Sequence, residues 1–154
     1  KALKNKISIK SPVKGEAVPL SQVDDPTFAE EIMGKGIAII PTEDEIFSPI
    51  NGTVSLVFNT KHAIGLKTED GAEVLIHIGL DTVKLNGEHF TTFVKSGDKV
   101  KVGDKLVEFD REAIKNKGYD IITPIIITNS SDYLDIIPKD VTSVNQGDEV
   151  LAIL

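Results

Sequence analysis

Short runs of Ile and Val separated by Gly, Pro, Asp and Asn dominate this chain, and helical periodicity is scarce. Eight runs read as strands, at 6–10, 36–40, 53–58, 63–68, 72–79, 105–109, 121–128 and 149–154. Many short strands with regular turn signals predict an all-β sandwich or barrel. Two short helices interrupt the pattern. Asp25-Pro26 supplies an N-cap and a first-turn proline and Gly34 a stop for the segment TFAEEIM. Asp110 and Gly118 bracket REAIKNK in the same way. The expected architecture is an antiparallel β-sandwich of the barrel-sandwich hybrid type with a few short helical turns. It forms a single domain over residues 1–154.

A weak internal repeat runs through the pattern. Ser11-Pro12-Val13-Lys14-Gly15 matches Ser48-Pro49-Ile50-Asn51-Gly52, and Thr123-Pro124-Ile125 echoes their start. Gly-Asp-x-apolar occurs at Gly97, Gly103 and Gly147. Either Gly-Asp is simply a common turn dipeptide, or the same turn feeds a strand in two related β units packed together.

Composition removes several chemistries. Cysteine is absent, which excludes disulfide frameworks, thiolate zinc sites and catalytic thiols. The net charge of -7 argues against nucleic acid and for a basic protein partner. Arg111 is the only arginine, so no cluster of Arg forks can grip a phosphate. No apolar run approaches the ~20 residues that span a bilayer. The basic opening KALKNKISIK lacks a signal-peptide core, so we expect no membrane insertion and a cytoplasmic location. The chain starts at Lys1 instead of Met, which fits either a trimmed chain or a domain of something longer.

Three histidines remain as candidate chemistry: His62, His77 and His89. His89 sits in the polar turn NGEHF and reads as a surface residue. His77 lies within the otherwise apolar run EVLIHIGLD. Asp70-Gly71 suits a two-residue type I′ hairpin turn. That register sets Ile64 opposite His77 and His62 opposite Gly79, making the two histidines diagonal neighbours on one sheet face. A pair of imidazoles could ligate a metal with Asp81 as third ligand, giving a zinc-dependent hydrolase, although no HExxH spacing supports it. Alternatively one imidazole could act as a nucleophile and phosphoryl acceptor while the other orients. The chain carries neither GxxxxGK[ST] nor GxSxG, so P-loop and nucleophile-elbow chemistry are unsupported. The turn repeats also permit a biotinyl- or lipoyl-type module, but Met33 has no lysine directly beside it.

The segments FAEEIMGKGIAIIPTEDEIFSPINGTV, NTKHAIGLKTEDGAEVLIHIGLDTVKLNGEHF and VKSGDKVKVGDKLVEFD closely resemble the glucose-family enzyme IIA of the phosphoenolpyruvate-dependent sugar phosphotransferase system. The resemblance runs from about Ile7 to the C-terminus. Both histidine segments stand in order, with SPxxG before and VxxGD after. It implies a phosphotransferase component with a phosphohistidine intermediate. A histidine-containing phosphocarrier protein would donate to His77 Nε2, and a cysteine on the IIB domain of a glucose-type sugar permease would receive. The Gly79 carbonyl would hold His77 Nδ1. His62 would stabilise the phosphoryl group, Thr60 would orient His62, and Asp81 would sit at the rim. A partner-binding ring would comprise Asp25, Phe28, Ile32, Met33, Phe58, Leu75 and Val83. The resemblance implies no metal and no cofactor.

Overall fold

The computed structural model describes residues 6–154. The predicted strands appear as β1 (Ile7–Lys10), β3 (Lys35–Pro41), β5 (Gly52–Val57), β6 (Ala63–Thr68), β7 (Glu73–His77), β10 (Lys105–Phe109), β11 (Thr123–Ile127) and β14 (Glu149–Ile153). Six further strands escaped the pattern: β2 (Gly15–Val18), β4 (Glu45–Phe47), β8 (Phe90–Thr92), β9 (Lys99–Val100), β12 (Ile136–Pro138) and β13 (Ser143–Val144). None of the six exceeds four residues, too short for alternation to stand out from loop composition. All pairings are antiparallel. An eight-stranded sheet runs β13-β2-β3-β11-β7-β6-β5-β9, and two three-stranded sheets, β1-β14-β12 and β4-β10-β8, complete the sandwich. Among the described residues, no helix is long and apolar enough to cross a membrane.

The large sheet buries both faces. On one face Ile39, Ile64, Ile76, Ile78 and Ile125 join the main core with the two small sheets. On the other, Ala38, Ala63, Leu75 and Ile126 pack with Leu20, Val23 and Phe28 in a smaller cluster. A one-turn 3-10 segment, Leu20–Gln22, and helix α1 (Pro26–Ala29) cover that second face. Burial on both faces explains why β11, TPIII, is apolar at every position except its opening threonine.

Helix α1 is shorter than the segment TFAEEIM. Asp25 caps it, its Oδ1 accepting from Thr27 N at 3.0 Å, but Glu31 turns left-handed at φ 58° and ends the helical path before Ile32. Helix α2 (Arg111–Asn116) matches its sequence signals, with Asp110 Oδ1 accepting from Ala113 N and Gly118 at φ 93° beyond its end.

The turn repeats are one device used three times. In each, the Asp carboxylate accepts from the amide three residues earlier: Asp98 from Lys95, Asp104 from Lys101, Asp148 from Asn145. In each, the Gly amide and the Asp carbonyl also exchange hydrogen bonds with one partner residue. Gly97 and Asp98 engage Val54, Gly103 and Asp104 engage Ser48, and Gly147 and Asp148 engage Ser11. The last two form a two-fold set, because Lys10 N donates to Pro49 O while Phe47 N donates to Pro12 O. Each serine hydroxyl is fully buried and donates to the carbonyl two residues on, Ser11 to Val13 at 2.7 Å and Ser48 to Ile50 at 2.8 Å. The Ser-Pro and Gly-Asp motifs are therefore the two halves of one joint between related β units.

Ser11→Ala and Ser48→Ala should each leave a buried carbonyl unpaired and cost about 1–3 kcal/mol. The quasi-two-fold geometry makes the two losses similar. Urea midpoints of the single variants would check this, and a markedly unequal pair would show that the two joints are not equivalent.

Candidate functional site

The hairpin joining β6 to β7 has a three-residue loop, which corrects the two-residue turn expected from Asp70-Gly71. Thr68 N donates to Ala72 O and Gly71 N to Thr68 O, with Gly71 at φ 95°. A type I turn followed by a left-handed glycine is the standard three-residue alternative. The register accordingly shifts by one. His77 faces Ala63, and Ile64 faces Ile76. His77 thus joins the small-cluster face with Leu75 and Ala63.

By strict alternation this register would send His62 to the opposite face. It escapes because it lies outside the strand. Phe58 N bonds Ala63 O, so residues 59–62 form a loop between β5 and β6. Lys61 N bonds Phe58 O, and Lys61 itself is left-handed at φ 63°. The chain leaves the pleat there and swings the His62 ring edge-on to that of His77. The ring centroids are 4.8 Å apart with planes at 85°. The expected juxtaposition is present, but a loop and not a strand register produces it.

Both rings are oriented through Nδ1. His77 Nδ1 lies 2.7 Å from Gly79 O. A carbonyl only accepts, so Nδ1 carries the proton and the lone pair of the neutral ring is on Nε2. His62 Nδ1 lies 2.7 Å from Thr60 Oγ1. Among the described residues, neither Nε2 has a hydrogen-bond partner.

Gly79 is essential to this geometry. It sits at φ 79°, and a Cβ there would lie 2.7 Å from both Asp120 O and Thr82 Cγ2. Phe28 packs on His77 with centroids 5.0 Å apart, and Phe58 meets His62 edge-on at 5.5 Å.

The electrostatics keep both rings neutral near pH 7. His62 is almost wholly buried, and desolvation, with a smaller contribution from His77, lowers its pKa to about 4. Burial also lowers the pKa of His77, opposed by the Gly79 carbonyl and by the Asp25 and Asp81 carboxylates. Asp81 is exposed and left-handed at φ 60°, opening the one-turn 3-10 segment Thr82–Leu85.

The apolar ring splits into two kinds of residue. Ile32 is 69% exposed, Met33 36% and Val83 46%, and Phe58 is partly buried. Phe28 at 3% and Leu75 at 7% are buried, which corrects their expected place in the ring. Their side chains fill the small cluster beneath His77. Leu56, half exposed, belongs on this face although sequence alternation hides it. An irregularity around Ser55 shifts the register so that Leu56 opposes Gly65, which in turn opposes Leu75.

His89 lies elsewhere, at φ 75°, with Nε2 enclosed and 3.6 Å from the Glu88 carboxylate. The zinc hydrolase alternative finds no donor set. Among the described residues, no group of three or more His, Cys, Asp or Glu is placed to hold a metal ion.

Comparison with known proteins points to one family. The family model for the phosphoenolpyruvate-dependent sugar phosphotransferase system, EIIA 1, matches residues 7–133. The glucose-specific EIIA component of Oceanobacillus iheyensis is 51% identical over 142 residues, covering 92% of this chain and 86% of that protein. The beta-glucoside-specific EIIBCA component of Bacillus subtilis is 52% identical over 145 residues, covering 94% of this chain. The chain spans only 24% of the length of that second relative. The solved structure of glucose permease IIA from Mycoplasma capricolum superposes with a TM-score of 0.88 at 37% identity, covering 96% of each chain. The chain therefore belongs to the EIIA 1 family of the sugar phosphotransferase system and has that family's phosphocarrier role.

Proposed function

We propose that His77 Nε2 is the phosphoryl acceptor, that the donor is a histidine-phosphorylated carrier protein, and that the receiver is a cysteine of an EIIB domain in the cytoplasm. The observation that carries this reading is the paired imidazoles. Each is fixed through Nδ1, and the two Nε2 atoms are left without internal partners. In the transfer, the bond from phosphorus to the donor imidazole breaks as the bond to Nε2 forms. The donor ring takes back the electron pair. Positive charge developing on the His77 ring is stabilised by the Nδ1–H donating to Gly79 O. His62 donates from Nε2–H to a phosphoryl oxygen, with Thr60 holding the opposite nitrogen. A nearby phosphoryl dianion favours the protonated form of His62, opposing the effect of burial.

EIIBCA relatives support an EIIB receiver, because there an EIIA is joined to EIIB in one protein. The exposed side chains Ile32, Met33, Val83 and Leu56 form an apolar surface around the histidines, with Asp25 and Asp81 near His77. Apolar contact gives a transient complex its affinity, while rim carboxylates steer a basic partner.

Incubating the protein with phosphoenolpyruvate, the first enzyme of the system and the carrier protein should give an acid-labile gain of one phosphate. His77→Gln should abolish it. His62→Gln should still accept phosphate and pass it on poorly, because a neutral amide can bond a phosphoryl oxygen but supplies neither proton nor charge. Phosphate appearing on the His77→Gln protein would overturn the assignment.

Neutrality also links folding to pH. Because His62 has a lower pKa folded than unfolded, its contribution to stability is complete above about pH 6.5 and is lost as pH falls toward 4. Its share is roughly 3 kcal/mol across that window, and His77 adds in the same direction. Urea titrations at several pH values should therefore show His62→Gln losing less stability on acidification than the native chain.

Charge reversal tests the docking face. Asp81→Lys should slow phosphorylation strongly at low salt and weakly at high salt, since steering acts over a screening length of ~10 Å at 0.1 M. Stopped-flow or quench measurements across a salt series would show it, and an unchanged rate and salt slope would remove Asp81 from the encounter.

A further inference from the structure

The sequence contains two Asn-Gly steps, Asn51-Gly52 and Asn86-Gly87, and the structure treats them oppositely. Asn-Gly is the dipeptide most open to spontaneous rearrangement, because the following amide nitrogen meets no Cβ as it approaches the side-chain carbonyl carbon. That reaction needs a free side chain, an unbonded glycine N–H and backbone able to rotate.

Asn51 meets none of these needs. Its Oδ1 accepts from Val102 N at 2.8 Å. Gly52 begins β5, paired on one side with Thr68 and on the other with Val100. Its backbone is packed so closely that a Cβ would lie 2.0 Å from Lys67 O.

Asn86 meets all three. It is exposed, and among the described residues its side chain takes no hydrogen bond and the Gly87 N–H has no acceptor. Both residues are left-handed, Asn86 at φ 52° and Gly87 at φ 90°, in a turn outside any strand. The space around Gly87 is loose, its missing Cβ having no neighbour nearer than 3.7 Å.

We propose that Asn86-Gly87 is a modification site at which the chain converts spontaneously to aspartyl and isoaspartyl forms. The Gly87 nitrogen, giving its proton to solvent base, bonds to the Asn86 side-chain carbonyl carbon. The carbon–nitrogen bond of the amide breaks, and ammonia leaves. Water then opens the resulting succinimide at either carbonyl. Opening at one gives aspartate, and opening at the other gives isoaspartate with an extra methylene in the main chain. Both products add one negative charge.

The position sets the consequence. The neighbours of Gly87 are the Lys61 side chain and the Thr60 carbonyl, on the loop that carries His62. Asn86 N donates to the carbonyl of Val83, an exposed residue of the same face. The new carboxylate therefore arises one residue before the position that meets Lys61, and the isoaspartyl form lengthens the turn at this rim.

The test does not depend on phosphoryl transfer. The full chain is held in mildly alkaline buffer, once folded and once in denaturing urea, then mapped by peptide mass and probed with protein isoaspartyl methyltransferase. Folded, Asn86 should convert at least about tenfold faster than Asn51, the difference reflecting local opening. In urea the two should convert at similar rates. Asn86→Gly, which retains the left-handed turn, should abolish the isoaspartyl signal of the folded protein. Equal rates in the folded protein, faster conversion at Asn51, or protection of both sites until urea is added would each overturn the proposal.

Discussion

The left-handed backbone at Gly79 is the constraint on which the histidine pair depends. Strand β7 delivers His77 to the sheet end, and the chain must then reverse so that a carbonyl faces back toward Nδ1. The amide of Gly79 donates to Ile122 O and that of Leu80 to Asp120 O, which fixes the reversal against the segment leading into β11. Thr82, fully buried, donates its hydroxyl to Ile78 O and locks the following turn. Only a residue without Cβ fits, because Asp120 O and Thr82 already occupy the space. Tautomer, ring orientation and the unpartnered Nε2 lone pair all follow from one backbone conformation.

The sheet supports this end because its two halves are joined by a repeated hydrogen-bond exchange. Three Gly-Asp turns each clasp one residue of another segment, and two of them hold Ser-Pro segments that also clasp each other. These contacts tie β5 to the turn before β9 and thereby anchor the strand that leads into the His62 loop. A fold built from such short strands gains little from propensity alone, and paired ends of this kind keep the register from slipping.

Much of this was legible in the sequence, and the failures have physical causes. The eight predicted strands are visible because Ile and Val runs are bounded by turn residues. The six others are not, because their two to four residues hold too little of that Ile and Val pattern. The histidine pair was found from a hairpin register that was wrong by one residue. Asp70-Gly71 suits both a two-residue turn and the end of a three-residue turn, and local sequence does not distinguish them. The pair survives because Lys61 takes the loop out of the pleat, and a left-handed lysine has no sequence signature. Phe28 and Leu75 look the same in sequence as Ile32 and Val83. What separates them is that Phe28 and Leu75 lie on α1 and β7 and pack into the small cluster, whereas Ile32 follows the left-handed Glu31 beyond α1 and Val83 sits in the 3-10 segment after β7. Leu56 is hidden by an irregularity that only the paired strand reveals.

The balance of charges at the site favours a carrier over a permanent base. Two carboxylates near His77 and a carbonyl on its Nδ1 all pull its pKa up, yet burial outweighs them and the ring remains neutral. The neutral ring keeps its Nε2 lone pair available near pH 7, and in the transfer we propose the surrounding acceptors would stabilise the charge that appears only as phosphorus binds. His62 follows the same logic with stronger burial, and in that proposal its ring gains a reason to protonate only when a phosphoryl group arrives. A site already charged would hold phosphate tightly in every state. In the proposed transfer the favourable interactions are conditional on the transferred group, so they would not oppose release once it leaves.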